Sequence, residues 1–181
     1  GCPHIWDSGE QKEIFSFYPE MINEAMDSVW EKVNHSLIWL AKVSPFSNPM
    51  QLKEVLKVIS GWLVDVVVTS NTSPNAYDED DDGYSFITPG GGLAGYAGVG
   101  FRPIALGQVK QWREALSPSI DVIGVGGIDS GKAMAKFFRR NVVAVQVATA
   151  LLQKGHLDLH VLDRFLLEFS ELPEQEPETA A

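Results

Sequence analysis

Val122-Ile123-Gly124-Val125-Gly126-Gly127-Ile128-Asp129-Ser130-Gly131, followed by Val143-Ala144-Val145-Gln146-Val147-Ala148-Thr149-Ala150-Leu151, is the stretch that decides the fold. In each part a β-branched run stops at small residues, and a helix is expected to start directly after. That is the pattern of two consecutive βα units. Where glycine replaces a side chain, the backbone can approach an anion closely. The first N–H groups of the next helix are unpaired donors at the positive end of a dipole. The natural ligand of such a cradle is phosphate, and two such units in succession match the last two strands of a (β/α)8 barrel.

Working outward, the same alternation recurs. Leu37 to Val43 is a short apolar run ending at Ser44-Pro45, read as a buried strand with Lys42 near its C-terminal end. A helix from Met50 to Gly61 follows. Leu63 to Thr69 is β-branched and stops at the turn formers Ser70 to Pro74, a second buried strand. Ile120 to Val125 and Val142 to Val147 are strands three and four. Helices are predicted over Pro19 to Val33, Pro103 to Leu116, Gly131 to Arg140 and Asp158 to Leu172. On the Pro103 to Leu116 helix, Ile104, Leu106, Val109, Trp112 and Leu116 form the expected apolar face. Strands alternating with helices and buried on both faces give an α/β parallel sheet of about four βα units, the C-terminal half of a (β/α)8 TIM barrel. Four strands leave two edges unpaired, so the chain alone is expected to associate or aggregate. The span Asn75 to Gly100, with an acidic run Asp78 to Asp82 and a glycine-rich segment, is too long to be an idle connection.

Composition narrows the partners. The 181 residues are 45% hydrophobic and 21% charged, enough for a core, and no apolar run approaches bilayer length. A net charge of -10 opposes nucleic acid and anionic membranes, which leaves small molecules and proteins. The single cysteine, Cys2, excludes an internal disulfide framework, and a reducing, cytoplasmic setting is expected. No metal site is expected, because the histidines lack ligand spacing and the acidic run lacks the pattern of a calcium loop. The chain starts on Gly1 rather than Met and is expected to be part of something longer. The stretch 173–181, acidic and Pro-containing, is expected to be a disordered tail behind a 1–172 half barrel.

In a parallel barrel the C-terminal strand ends share one face, where chemistry is found. The residues expected there are Cys2, Lys42, Asn71, Gly126, Gly127, Ala148 and Thr149. A lysine at the inner end of a buried strand costs free energy unless an anion or an electron-rich ring lies beside it. A carboxamide that donates and accepts suits a pyrimidine-like edge. Each has a plainer reading: Lys42 as a snorkelling strand-end lysine, Asn71 as a turn cap, and Gly126-Gly127 as a tight βα turn.

Taken in order, Cys2-Pro3-His4, Ala41-Lys42-Val43-Ser44-Pro45, Thr69-Ser70-Asn71-Thr72, Gly91-Gly92-Leu93-Ala94-Gly95 with Arg102-Pro103-Ile104-Ala105-Leu106, Gly124-Val125-Gly126-Gly127-Ile128 and Gln146-Val147-Ala148-Thr149-Ala150-Leu151 resemble the dihydroorotate dehydrogenases. The soluble class is nearest, with some resemblance to the C-terminal part of dihydropyrimidine dehydrogenase in Cys-Pro-His. The resemblance implies FMN-dependent oxidation of dihydroorotate to orotate in pyrimidine synthesis. It implies Cys2 as a general base of depressed pKa and Lys42 against the flavin, stabilising the reduced ring. Asn71, Thr72 and His4 would face the substrate. Gly91 and Gly92 would close over the FMN, and Gly126, Gly127, Ala148 and Thr149 would surround its phosphate. Ala148 stands where the family more often has glycine. The family's first four strands, with further contacts, would lie before Gly1, and the full-length form is expected to be a homo-oligomer. Two other functions stay open: a dihydropyrimidine-base oxidoreductase, motivated by His4, and a non-catalytic barrel fragment acting as a binding or assembly module.

Overall fold

A computed structural model describes residues 6–7, 10–11, 13–33, 36–87, 92–153 and 156–173. Four parallel strands, β1 (Leu40–Val43), β2 (Val66–Thr69), β3 (Asp121–Val125) and β4 (Ala144–Gln146), form one sheet in sequence order. The helices are α1 (Pro19–Trp30), α2 (Pro49–Gly61), α3 (Arg102–Ala115), α4 (Gly131–Phe138) and α5 (His160–Ser170). The expected α/β half barrel of four βα units is therefore present.

Register fixes what each face carries. Lys42 pairs with Val68, Val68 with Ile123, and Ile123 with Ala144, so Lys42 and Gln146 share the face opposite to Val43, Val67 and Val122. The latter three join Leu52, Val55, Ala105, Val109, Trp112 and Phe137 in the core beneath the helices. At the ends of the sheet, the Lys42 Nζ donates to Gln146 Oε1 at 3.5 Å. Those residues sit on the two outermost strands. A flat sheet would hold them roughly 14 Å apart, at about 4.8 Å per strand spacing, so the sheet curls as a barrel wall does.

Three expectations change. The Leu37 to Val43 segment is not a buried strand: β1 starts at Leu40, and Leu37, Ile38 and Leu40 are 61%, 72% and 52% exposed. Its register partner lies on one side only, because among the described residues β1 is the sheet edge. Lys42 is correspondingly exposed, so no burial cost has to be offset by a ligand. After β4 no helix starts directly. A single 3-10 turn (Thr149–Leu151) and a two-residue ladder (Leu152–Gln153 with His156–Leu157) intervene before α5. The inward face of α3 is Ala105, Gln108, Val109 and Trp112, whereas Ile104 is exposed.

The long span after β2 is built. Ser73–Ala76 pairs antiparallel with Ala94–Tyr96, and the acidic run between them is a solvent-exposed loop in which Asp80 Oδ1 accepts from Asp82 and Tyr84 N–H. Among the described residues no helix is long and apolar enough to cross a membrane. Gly107, in the interior of α3, has open space where a Cβ would stand. Gly107→Ala should therefore raise stability by about 0.5–1 kcal/mol, read as a higher urea midpoint at unchanged slope.

Candidate active site

The C-terminal ends of all four strands border one cavity of about 450 Å³. Lys42, Asn71, Thr72, Gly126, Gly127, Ala148 and Thr149 all line it, which brings most of the sequence-predicted residues together. Gly92 is not among them. It adopts φ +83°, and a Cβ there would strike Ser85 and Tyr77, so its setting is the loop after β2. Cys2, His4 and Gly91 lie outside the described residues.

Each wall has a local cause. Asn71 follows β2, where its N–H donates to Val43 O at 2.7 Å and ties the ends of β1 and β2 together. Its carboxamide oxygen accepts from Thr72 N–H at 2.9 Å, the turn-capping geometry. Ser70, 2% exposed, also lines the cavity, and among the described residues its hydroxyl has no hydrogen-bond partner.

Gly126 and Gly127 adopt φ +124° and +71°. A Cβ on Gly126 would stand 2.8 Å from Ala105 Cβ, and one on Gly127 would stand 2.7 Å from Gly98 O and 2.9 Å from Arg102 N. Both therefore have to be glycine for the turn to lie against α3, and this turn puts backbone on the cavity wall. Among the described residues the N–H groups of Gly127, Ile128 and Asp129 have no acceptor. Three successive unpaired amides on a cavity wall make an anion nest.

The α4 N-terminus behaves differently from the expectation. Ser130 caps it, with Ala133 N–H donating to Ser130 Oγ at 3.2 Å, and Gly131 N–H donates to Glu168 Oε2 at 2.8 Å. A carboxylate from α5 already answers the first helical donor, so the backbone donors left on the cavity wall here are the loop amides before the helix.

Several contributors escaped the sequence reading. Gln108, 3% exposed, accepts from Phe46 N–H and donates to Phe46 O, both at 2.9 Å, and so fixes the chain leaving β1 just beyond Lys42. Arg102 grips the Gly127 to Asp129 turn, and Gln146 meets Lys42. Their partners lie 62, 25 to 27 and 104 residues away, so local periodicity carries no trace of them.

A cavity of this size at the C-terminal strand ends, with an amide nest at one wall and a lysine at another, suits a phosphate-bearing ring compound. The family model described as dihydroorotate dehydrogenase matches residues 2–168. The chain belongs to the dihydroorotate dehydrogenase family. Among curated relatives, the mitochondrial dihydroorotate dehydrogenase (quinone) of Schizosaccharomyces pombe is 32% identical over 128 residues, 71% of this chain and 28% of the relative. The probable dihydroorotate dehydrogenase A (fumarate) of Enterococcus faecalis is 30% identical over 172 residues, 94% of this chain and 52% of the relative. Dihydroorotate dehydrogenase A (fumarate) of Lactococcus lactis subsp. cremoris is 24% identical over 165 residues, 91% and 47%. The chain thus spans about half the length, or less, of these dihydroorotate dehydrogenases. The further resemblance to dihydropyrimidine dehydrogenase rested on His4, outside the described residues.

Proposed function

We propose that this chain carries the C-terminal-face site of an FMN-dependent dihydroorotate dehydrogenase, oxidising dihydroorotate to orotate in pyrimidine synthesis. The observation that carries the reading is the single cavity on which Lys42, Asn71 and the Gly126-Gly127 turn converge, in a chain of this family. FMN, when bound, supplies the hydride acceptor. The residues fit it: the Gly127 to Asp129 amides and the Ala148-Thr149 turn would hold the phosphate, and the Lys42 ammonium would sit against the ring and balance negative charge. Asn71 would orient the pyrimidine edge with Thr72 beside it. Cys2 would accept the proton as a thiolate, with His4 toward the substrate and Gly91 over the flavin. These three roles come from the family resemblance alone. The tail 173–181 stands outside the half barrel in this reading, and the full-length protein is a homo-oligomer in the cytoplasm.

The test is product formation by the purified full-length protein loaded with FMN. Orotate should appear from dihydroorotate, and dihydrouracil should turn over at least about tenfold more slowly, as expected for a site built to pair the missing carboxylate. No orotate at all would refute the activity, and faster turnover of dihydrouracil would replace the substrate.

A further inference from the structure

We infer that Arg102 is the positioning residue of the phosphate subsite, shaping the amide nest and cancelling the Asp129 carboxylate that borders it; this rests on the cofactor reading above. Arg102 opens α3 and its side chain is 18% exposed. Nε donates to Gly127 O at 2.7 Å, and Nη2 donates to Asp129 Oδ1 at 2.7 Å. One planar guanidinium therefore holds both ends of the Gly127-Ile128-Asp129 segment, a task that needs two donors in fixed relative geometry.

The peptide plane gives the consequence. In a trans peptide the C=O and the following N–H point opposite ways, so drawing the Gly127 carbonyl to Arg102 turns the Ile128 N–H away from it. Arg102 does not line the cavity, whereas Gly127, Ile128 and Asp129 do. The grip on the outer side thus aims a donor inward. Asp129 presents the second reason. A carboxylate on the wall of an anion subsite repels the anion unless it is neutralised, and Asp129, 37% exposed and also accepting from Ser130 Oγ at 3.2 Å, has Arg102 as its cation. Arg102 spends its charge on Asp129, so it shapes the subsite without being a phosphate ligand itself.

The two roles separate by substitution, with the full chain and two probes that differ by one phosphate, FMN and riboflavin. In equilibrium dialysis Arg102→Met should weaken FMN by about tenfold to a hundredfold while riboflavin changes by less than about threefold. Arg102→Lys should recover part of the loss, because it restores the charge without the fork. Arg102→Met combined with Asp129→Asn should also recover part, because it removes the repulsion without restoring the grip. Equal losses for both flavins, or no loss, would overturn the inference. If the unaltered chain retains neither flavin, the cofactor reading falls, and amide hydrogen exchange judges the grip instead. Faster exchange at Gly127 to Asp129 in Arg102→Met supports it, and unchanged exchange overturns it.

Discussion

Trp112→Ala should cost about 3–5 kcal/mol of stability, the largest single-residue loss expected from this core. The side chain is fully buried on α3, its ring set edge-on to Phe46 at 5.9 Å, and Phe46 is edge-on to Phe17 at 5.4 Å. The aromatic chain links the helix that backs the Gly126-Gly127 turn to the segment leaving β1, so the cavity it would leave sits behind the site. Trp112→Phe makes the contrast. The indole N–H has no partner among the described residues, so phenylalanine deletes an unsatisfied donor while keeping most of the volume. Its cost should stay under about 1.5 kcal/mol. Urea unfolding of the two variants measures both values. A loss below about 1.5 kcal/mol for alanine would mean that α3 does not pack as described.

Lys42→Met should lower the rate of orotate formation by about 10²–10³-fold, the range for removing one preorganised charge donor from a reacting site. Stability should move by less than about 0.5 kcal/mol, because Lys42 is exposed and its one hydrogen bond among the described residues, with Gln146, is at the 3.5 Å limit. That pairing of a large kinetic and a negligible structural effect separates a chemical lysine from the snorkelling one that strand-end position alone allows. Steady-state orotate production together with urea unfolding decides it, and turnover within about threefold of the unaltered protein would remove Lys42 from the mechanism.

How far these residues could be read without coordinates depended on the range of their interactions. The β-branched runs ending at Thr69 and Val125 and the Gly126-Gly127 break are local signals, and they located β2, β3 and the turn on which the site is built. Burial of β1 was not legible from its composition. Leu37, Ile38 and Leu40 look like core residues, yet their exposure follows from the strand's place at the sheet edge, a property of topology. The start of α4 misled for a related reason. Its donors look free in sequence, but Glu168, 37 residues on, takes the first of them. Gln108 and Arg102 carry no local signal of their roles, because the groups they hold, Phe46 and the Gly127 to Asp129 turn, lie far away in sequence. The small residues at Ala148-Thr149 did mark a cavity wall, although the helix expected directly after them begins only at His160.

Whether the cavity at the strand ends holds the flavin, with its phosphate on the Gly127 to Asp129 amides, can be read from amide NMR of the full chain titrated with FMN. Saturable shifts are expected to concentrate at Gly126 to Asp129 and Ala148 to Ala150, with the first group moving much less when riboflavin replaces FMN. Shifts elsewhere with these amides unmoved, or identical responses to the two flavins, would contradict that placement.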